Sequence, residues 1–459
     1  MNKKDILTKL KGYVLYENIK SVQIDNVEWK AEISNKNTAL FYNLSDSLLA
    51  QDAFYNRIKS SCYGVLITDF FDEKIKKISN VIIIKPDSWL VAQKILCDIF
   101  YPIKGKLKLI GITGTNGKTT TADLIRQLVE QVMHKAFVVG TLGITNNTGV
   151  IFETGLTTPP YIWNRQFIHK YQDDYDVAIF EVSSHALVQK RIFKLDFDYV
   201  IWTSFSQDHL DYHKTMSEYF EAKRLILNYS KHPVIVSGKA HNIFSKLKPQ
   251  EYEIARSFEE ITLKQIIPLF FESKFNQNNF ECAYHCVKLL YPSSKISLSS
   301  LKPPPGRFNV IEWKKRKIII DFAHTPDALL NIGGAIKSIY VDSKIITVFG
   351  CGGDRDRSKR VLMGRAVSQF SSFVYLTNDN PRNENPEQIV SDIIPGLEVE
   401  YQVILSRKEA IKNALDKSQE GNIILIAGKG HESYILVKDE KIQHLDEAVV
   451  REYIKKHHD

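Results

Sequence analysis

From Lys106 onward, short apolar runs alternate along the chain with segments of helical pattern. Runs such as KLKLIGIT, AFVVGT, VAIFEV and YVIWTSF are apolar nearly throughout, and helical stretches such as TTADLIRQLVEQV lie between some of them. Apolar strands that take turns with helices indicate a mainly parallel sheet with both faces covered. We therefore predict an α/β fold in which ligands bind at the carboxyl ends of the strands.

Two changes of pattern divide the chain, whose 459 residues suffice for about three domains. Residues 1–105 mix short apolar runs with polar turns and predict a small α/β domain. The three prolines of KPPPGR, residues 302–307, can continue neither a helix nor a central strand. Further apolar runs follow them. We predict a central α/β domain at 106–303 and a second doubly wound domain at 304–459.

The composition is that of a globular protein with small-molecule ligands. The 61 basic and 53 acidic residues give a net charge of +8 without a block of five like charges, so we expect small, anionic substrates and no nucleic-acid partner. No apolar run approaches ~18 residues, so we expect no membrane insertion and a cytoplasmic location. Reduced thiols are predicted, because no paired CxxC spacing occurs among Cys62, Cys97, Cys282, Cys286 and Cys351.

The segment GITGTNGKTTT, residues 111–121, stands between a strand-like run and a helix-like run. Its glycines let the backbone close around phosphate, Lys118 adds a mobile charge, and Thr119 can offer a hydroxyl to Mg²⁺. The strict GxxxxGK[ST] pattern fails, because Ile112 stands five residues before Gly117, and a plain glycine-rich turn is the alternative. We predict ATP binding by Gly114, Thr115, Asn116, Gly117, Lys118, Thr119 and Thr120.

The segment EVSSHAL, residues 181–187, ends the run VAIFEV. A carboxylate at a strand end near a phosphate loop is placed to hold the Mg²⁺ that the loop threonine also holds, which makes Glu181 a candidate ligand. Ser183, Ser184 and His185 suggest a hydrolase, but no GxSxG elbow surrounds either serine. A strand-end carboxylate without a metal is the alternative.

Two further features lie between residues 206 and 229. In SQDHLDYH, His209 and His213 are four apart and share a helix face if the segment is helical, although a polar, Asp-capped helix start explains them equally well. In MSEYFEAKRLILNY, Lys223 falls within the apolar face of a predicted helix. It either snorkels to solvent or lies in a desolvated site, where its pKa falls and its amine can take up CO₂ as a carbamate.

Polar motifs also follow each strand-like run beyond the prolines. They are Asp321 and His324 in DFAHTPDA, GCGGDRDRSKR at 350–360, TNDNPRNENP at 377–386, and GKGHE at 428–432, while Arg307 directly follows the prolines. Loops of this kind at the strand ends of one sheet predict a charged ligand pocket. By composition alone, TNDNPRNENP is as well explained as a surface turn.

Together these motifs resemble the Mur ligases, and within them the MurE type, which adds the third residue of the peptidoglycan stem peptide. TGTNGKTTT, EVSSHAL, QDHLDYH, EAKR, DFAHTPDAL, DNPR and GKGHE occur in family order over residues 106–459. The resemblance implies an N-terminal UDP-binding domain, a P-loop-type ATPase and a Rossmann-like C-terminal domain, acting as a monomer. The implied reaction adds meso-diaminopimelate to UDP-N-acetylmuramoyl-L-Ala-D-Glu through an acyl phosphate, at the expense of ATP.

The resemblance also implies roles for particular residues. Further ATP contacts are Asn276, Arg307 and Asp321. Two Mg²⁺ ions are held by Thr119, Glu181, His209 and Lys223, the last as N6-carboxylysine, and the catalytic residues are Lys118, Lys223, His209 and Glu181. The UDP-muramoyl dipeptide contacts Thr157, Thr158, Ser183, Gln189 and Arg191. The diaminopimelate pocket consists of Arg355, Asp379, Asn380, Arg382, Gly428 and Glu432.

In that pocket an arginine fork pairs with the distal carboxylate, which L-lysine lacks. We expect Pro381 to hold its neighbours Asn380 and Arg382 in an extended conformation.

The chain departs from the family pattern in two places. Where the family has Asp-Ser-Arg and a later Asp-Gly, it carries DNV at 25–27 and DAF at 52–54, so the uridine contacts stay unassigned. Ser273 and Lys274 stand before Phe275 and Asn276, where a glycine is usual. The alternatives are the same ligase with L-lysine or another amino acid, a folylpolyglutamate synthase-like ligase, and a non-catalytic ligase-like binding protein.

Overall fold

The computed structural model describes residues 1–44, 48–262 and 267–457, and its strands form three larger sheets and a hairpin. The N-terminal sheet has five strands in the order β1-β5-β4-β3-β2, and only β1 is antiparallel to its neighbour. Its strands are β1 (Val14–Asn18), β2 (Asn26–Glu28), β3 (Thr38–Phe41), β4 (Val65–Thr68) and β5 (Val81–Ile84). The helices are α1 (Lys3–Lys9), α2 (Leu48–Ser60), α3 (Glu73–Lys76) and α4 (Trp89–Phe100).

The second sheet has eight strands in the order β13-β12-β11-β6-β10-β7-β8-β9. They are β6 (Lys108–Thr113), β7 (Ala136–Gly140), β8 (Gly143–Asn146), β9 (Gly149–Phe152), β10 (Val177–Glu181), β11 (Tyr199–Trp202), β12 (Val234–Val236) and β13 (Tyr252–Ile254). The helices of this part are α5 (Lys118–Gln131), α6 (Tyr161–Tyr171), α7 (Ser184–Val188), α8 (Leu210–His213), α9 (Met216–Arg224), α10 (His241–Phe244), α11 (Phe258–Thr262) and α12 (Lys274–Leu290). β11 pairs with β6 and β12 in parallel, whereas β8 is antiparallel to both its neighbours.

The third sheet has the order β14-β15-β19-β16-β17-β18, with only β14 antiparallel. Its strands are β14 (Asn309–Trp313), β15 (Arg316–Asp321), β16 (Ile345–Phe349), β17 (Phe373–Leu376), β18 (Tyr401–Val403) and β19 (Ile423–Ala427), and a hairpin of β20 (Tyr434–Val437) and β21 (Glu440–Gln443) follows. The helices are α13 (Pro326–Ile339), α14 (Ser358–Ser368), α15 (Pro386–Ile393), α16 (Arg407–Lys417) and α17 (Asp446–Lys456). Short 3-10 helices cover Ala31–Ile33, Pro86–Ser88, Leu225–Tyr229, Pro249–Glu251, Leu269–Glu272 and Ile394–Gly396.

The predicted α/β fold with mostly parallel sheets is confirmed. Strands β3, β4, β5, β7, β10, β16 and β19 are buried at every position, as expected for sheets covered on both faces. In the described residues, no helix has the length and hydropathy needed to cross a membrane. None of the five cysteines forms a disulfide.

The chain divides into two compact units. The first consists of Met1–Lys108, Thr158–Ala178 and Ala186–Leu195, and the second of the remaining residues. Each of the ranges 1–105, 106–303 and 304–459 contains one of the three larger sheets. The domain boundaries at 105 and 303 stay predictions.

Candidate active site

The glycine-rich loop connects β6 to α5, as the sequence predicts. Gly114 has φ +147° and Gly117 has φ +87°, a region that favours glycine. A Cβ at Gly114 would collide with the Thr203 hydroxyl, and one at Gly117 would collide with the Asn279 amide. The turn leads directly into α5, whose first N–H groups have no acceptor within the helix, and such a helix start fits a phosphate group.

Lys118, the first residue of α5, folds back over this loop. Its Nζ donates to the carbonyl oxygens of Gly114, at 2.8 Å, and Thr115, at 3.0 Å. Burial lowers the pKa of Lys118, and the carboxylates of Glu181 and Asp208 oppose that shift. An anionic ligand would replace these carbonyl contacts and favour the charged amine.

Glu181 is the last residue of β10 and is 1% exposed. Its carboxylate accepts hydrogen bonds from the Thr119 hydroxyl and from the backbone N–H and the hydroxyl of Thr141, each at 3.0 Å. The Thr141 hydroxyl also lies 3.2 Å from that of Thr157. A carboxylate and a hydroxyl oxygen at this spacing are the hard donors that suit Mg²⁺.

Three histidines lie together beside this region. His209 has φ +55° and precedes the short helix α8, so it and His213 do not form a pair on one helix face. Instead both rings contact His185, with centroids 4.8 Å and 5.4 Å away. The His213 ring nitrogen Nε2 lies 2.8 Å from the Ser184 hydroxyl. Burial lowers the pKa of His209 to about 3, against the attraction of Asp208.

Lys223 is 1% exposed, so it does not snorkel to solvent. Its Nζ donates to the Gly114 carbonyl oxygen at 2.9 Å and lies 4.6 Å from the Tyr219 ring centroid. Among the described residues, Nζ forms no ion pair; Asp208, whose charge acts on it, is paired with Lys359 at 3.3 Å. Burial lowers the pKa of Lys223 far below its usual value, and the positive charge of Lys118 lowers it further. The structure therefore favours the neutral, nucleophilic amine.

A cavity of about 230 Å³ opens beside the glycine-rich loop. The predicted ATP residues that line it are Asn116, Gly117, Thr120, Asn276, Arg307 and Asp321. Asn276 is fixed by a hydrogen bond of 2.9 Å from Nδ2 to the Phe270 carbonyl oxygen. The cavity is thus bordered by the loop, α12 and the residues around the start of the third sheet.

Arg307 and Asp321 form the charged wall of this cavity. The Arg307 guanidinium lies 4.5 Å from the Phe322 ring centroid, and its buried Nε has no hydrogen-bond partner among the described residues. Burial lowers the pKa of Arg307 and raises that of Asp321, and the attraction between them opposes both shifts. An unsatisfied guanidinium N–H in a cavity fits an anionic or polar ligand.

The strand order of the third sheet brings the loops after β16, β17 and β19 together. Asp379 and Asn380 follow β17, and Gly428 and Glu432 follow β19. Asn380 Nδ2 donates to Glu432 Oε2 at 2.9 Å. Gly428 has φ +112°, and a Cβ there would lie 2.7 Å from Asp379 Oδ2. The predicted convergence of these motifs is observed.

Arg382 and Arg355 add positive charge to the same loops. Arg382 has φ +52°, so the prediction of an extended conformation is wrong at this residue. Its backbone N–H donates a hydrogen bond to the Leu436 carbonyl oxygen, and this contact with β20 holds the backbone in that conformation. Its Nη1 donates to the Gly353 carbonyl oxygen at 2.7 Å. Burial and the nearby charge of Arg355 lower the pKa of Arg382. Over residues 1–44, 48–262 and 267–457, neither guanidinium forms an ion pair.

The residues expected to contact the muramoyl dipeptide fall in both compact units. Thr157 and Ser183 belong to the second unit. In the first unit, Arg191 Nη1 donates to the Thr158 carbonyl oxygen at 2.7 Å, and Arg191 Nε donates to Gln189 Oε1 at 2.9 Å. Within the first unit, these three predicted residues are neighbours.

Comparison with known proteins decides the family. The model of the Mur ligase middle domain matches residues 112–311, and that of the Mur ligase glutamate ligase domain matches residues 306–430. The chain is 31% identical to UDP-N-acetylmuramoyl-L-alanyl-D-glutamate--2,6-diaminopimelate ligase 1 of Clostridium acetobutylicum, over 98% of this chain and 99% of that protein. The chain belongs to the Mur ligase family. The expected MurE type and the ATP-dependent formation of an amide bond in peptidoglycan precursor synthesis are confirmed.

Two further similarities support this assignment to the Mur ligases. The chain is 36% identical to the diaminopimelate ligase of Aquifex aeolicus, over 81% of this chain and 83% of that protein. A solved structure of a UDP-N-acetylmuramoyl-L-alanyl-D-glutamate--2,6-diaminopimelate ligase superimposes with a TM-score of 0.56 at 26% identity, covering 95% of this chain and 96% of that one.

Several residues of this Mur ligase site were not singled out from the sequence. Thr141 contacts Glu181, Lys359 forms a buried ion pair of 3.3 Å with Asp208, and Lys429 contacts Asn380 and Glu432. Further polar residues lining the cavity are Lys239, Asn242, Lys274, Asn279, Asp327 and Asn331. Thr141 carried a usable signal, because it follows the apolar run AFVVG, whereas the others acquire their contacts only in the tertiary structure.

Proposed function

We propose that this Mur ligase adds meso-diaminopimelate to UDP-N-acetylmuramoyl-L-alanyl-D-glutamate. Curated relatives are named for that substrate and that amino acid. The observation that carries the choice of amino acid is the pair of guanidiniums of Arg355 and Arg382, neither of which forms an ion pair with a described carboxylate. A distal carboxylate would pair with these charges. Arg382 is half-buried and donates to the carbonyl oxygens of Gly353 and Asn380, so L-lysine, which lacks that carboxylate, would leave its charge without a counter-charge.

The chemistry requires an activated carboxyl group, because a carboxylate is a poor electrophile. ATP would transfer its γ-phosphoryl group to the D-glutamate side-chain carboxylate and give an acyl phosphate and ADP. The amine of the incoming amino acid would then attack the acyl carbon, form the amide and release phosphate. Catalysis of phosphoryl transfer rests on charge neutralisation and positioning, which Lys118 and Arg307 would supply at the phosphates.

ATP would occupy the cavity beside the glycine-rich loop. Asn276 and Asp321 would contact the nucleoside end, and the N–H groups at the start of α5, from Lys118 to Thr120, would bind the phosphates. Support comes from the two glycines whose Cβ positions are blocked and from the unpaired Nε of Arg307. Family members use ATP, and a cavity of about 230 Å³ accommodates part of a nucleotide whose phosphates lie along the loop.

Two Mg²⁺ ions would neutralise the phosphate charge when bound. Thr119 and Glu181 would hold one ion, and His209 together with a carbamate on Lys223 would hold the other. The donors fit, since Thr119 and Glu181 lie 3.0 Å apart and the pKa of His209 is low enough for a neutral ring. The amine of Lys223 is buried and has no carboxylate partner in the described part of the chain, which supports conversion to N6-carboxylysine.

The remaining roles follow from the proposed substrate. We assign uridine binding to the range 1–105, ATP to 106–303 and the amino acid to 304–459. Residues proposed for the muramoyl dipeptide are Thr157, Thr158, Ser183, Gln189 and Arg191. Because both proposed substrates, a UDP-linked precursor and ATP, are cytoplasmic, we place the enzyme in the cytoplasm, as a monomer. Its role there would be in cell-wall biogenesis, and through it in cell shape and cell division.

One assay tests the proposal. Purified protein is given ATP, Mg²⁺ and UDP-N-acetylmuramoyl-L-Ala-D-Glu together with meso-diaminopimelate, L-lysine or L-ornithine, and phosphate release and the UDP-linked product are measured. We expect amino-acid-dependent phosphate release with meso-diaminopimelate at a kcat/KM at least about 10-fold above that with L-lysine. Preference for L-lysine would refute the choice of amino acid, and no turnover with any of them would indicate a ligase-like binding protein.

A further inference from the structure

Lys429 has a buried ammonium group to which no role has been assigned. It follows Gly428 in the loop after β19, and its side chain is 0% exposed. Its Nζ donates to Asn380 Oδ1 at 3.0 Å and to Glu432 Oε2 at 2.8 Å. Lysine is almost never fully buried unless it is paired. Both partners of this lysine belong to the proposed amino-acid pocket.

The Asn380 amide is held in a single orientation by these contacts. Its Oδ1 accepts from Lys429 Nζ and from the backbone N–H of Leu436, the latter at 2.8 Å, while Nδ2 donates to Glu432 Oε2. An ammonium group and a backbone N–H can only donate, so the amide oxygen must face them. Without the ammonium group, the amide would lose its charged partner and could turn.

The same contacts leave one oxygen of Glu432 available. Oε2 accepts from both Lys429 and Asn380, whereas Oε1 has no hydrogen-bond partner within the described ranges. The Glu432 side chain is 22% exposed, so a ligand can reach it. A carboxylate oxygen without a partner can accept a charge-assisted hydrogen bond from an ammonium group.

The pocket therefore carries groups of both charges. The guanidiniums of Arg355 and Arg382 suit a carboxylate, and Glu432, which is paired with Lys429 through Oε2, suits an ammonium group through Oε1. A substrate that carries both groups on its distal carbon can pair with both. The contacts of Lys429 are made to Asn380 and to the carboxylate that receives the ammonium group.

We propose that Lys429 is a positioning residue that holds Asn380 and Glu432 so that Glu432 receives the distal ammonium group of the amino-acid substrate. This inference rests on the function proposed above, with meso-diaminopimelate as the amino acid. Lys429 then controls discrimination between amino acids with and without the distal ammonium group. Recognition of the distal carboxylate stays with the two arginines.

The test compares two amino acids in the Lys429→Met variant, in which a side chain of similar length lacks the charge and the donors. The substrates are meso-diaminopimelate and 2-aminopimelate, which keeps both carboxylates and lacks the distal ammonium group. We expect the ratio of their kcat/KM values to fall at least about 10-fold relative to the unsubstituted enzyme. The KM for ATP should change less than about threefold, because Lys429 does not contact the nucleotide cavity.

The matched control is Lys441→Met. Lys441 is exposed, and its Nζ lies 4.4 Å from the centroid of the Tyr434 ring, which Lys429 also approaches at 5.8 Å. This variant should keep the ratio of the unsubstituted enzyme. A merely structural role of Lys429 would lower kcat/KM for both amino acids by the same factor, and that result would overturn the proposal.

Folding is checked by the thermal melting midpoint of each variant. If Lys429→Met does not fold, it is replaced by Lys429→Gln, whose side chain is shorter and neutral but keeps a hydrogen-bond donor. An unchanged ratio of the two kcat/KM values in that variant would overturn the proposal. The turnover of the unsubstituted enzyme with meso-diaminopimelate is measured before any variant is compared. If that enzyme shows no turnover, the function proposed above is wrong, and this result differs from a failure of the role proposed for Lys429.

Discussion

The Nζ of Lys223 lies 2.9 Å from the carbonyl oxygen of Gly114, the same oxygen that Lys118 Nζ contacts at 2.8 Å. Two amines thus share one acceptor in a buried site, and burial together with their mutual repulsion lowers the pKa of Lys223. Only a neutral amine reacts with CO₂. The geometry of the glycine-rich loop is therefore compatible with the proposed carbamate, which would convert Lys223 from a neutral amine into an anionic metal ligand.

The first prediction concerns this carbamate. Lys223→Ala should lower kcat at least about 100-fold, because it removes a ligand of the Mg²⁺ that would neutralise the transferring phosphoryl group, and bicarbonate should not restore it. The unsubstituted enzyme should lose activity when purified without CO₂ and regain it on addition of bicarbonate, measured as phosphate release. Lys231→Ala, which removes an exposed lysine paired with Asp198, is the control. Full activity of Lys223→Ala would exclude the role.

The second prediction concerns the choice of amino acid. Arg382→Ala should raise the KM for meso-diaminopimelate by about 10- to 100-fold, the expected effect of losing charge-assisted hydrogen bonds to a carboxylate. The KM for ATP should stay within about twofold. Arg451→Ala, at an exposed arginine of α17, should alter neither constant. Equal increases in both KM values would mean that Arg382 supports the fold and does not select the substrate.

The positions of side chains at strand ends are the part of the site that the sequence predicts best. Glu181 and Asp321 close apolar runs, and such runs become buried strands whatever surrounds them, so both side chains reach the expected edges of their sheets. Gly428 follows a third run of this kind. Within the third sheet, the parallel pairing of β15 with β19 then places Asp321 beside Ala427 and Gly428 without any knowledge of loop conformation.

Contacts between distant loops were not predictable in the same way. Lys429 lies 49 residues from Asn380 in the chain, and GKGHE alone does not indicate that its lysine is buried. Arg382 takes a left-handed conformation because its backbone bonds the β20 hairpin, through Leu436 and Lys438. A local rule about residues next to proline cannot anticipate that tertiary contact.

The third prediction concerns the strand-end carboxylate. Glu181→Gln keeps an acceptor for Thr119 and Thr141 but removes the charge, so the fold should persist while Mg²⁺ binds more weakly. The Mg²⁺ concentration for half-maximal phosphate release should rise about 10-fold or more, with the KM for the amino acid unchanged. Glu312→Gln, at an exposed position, should leave the dependence of phosphate release on Mg²⁺ concentration unchanged. An unchanged curve for Glu181→Gln would rule out its role as a ligand.

The fourth prediction concerns stability and pH in the part of the chain that contains the third sheet. Arg407 and Asp446 form an ion pair of 2.7 Å in which both side chains are 0% exposed. Burial alone would raise the pKa of Asp446, but the attraction of Arg407 and the hydrogen bonds from Arg407 and His444 lower it well below its usual range. The carboxylate therefore contributes stability above its unfolded pKa of about 3.9. That contribution is lost as the pH falls through the lowered folded value.

Asp446→Asn should consequently lower the urea midpoint at about pH 7, since breaking a buried ion pair costs about 3–5 kcal/mol. The difference in urea midpoint between the variant and the unsubstituted protein should become smaller below about pH 4, because the unsubstituted protein loses the stabilisation by the carboxylate there. Glu452→Gln serves as the control, because Glu452 lies on the same helix and pairs with Lys408 and Lys456 in solvent; its urea midpoint should match that of the unsubstituted protein. A gap for Asp446→Asn that stays constant from neutral to acid pH would show that the carboxylate's charge does not stabilise the fold.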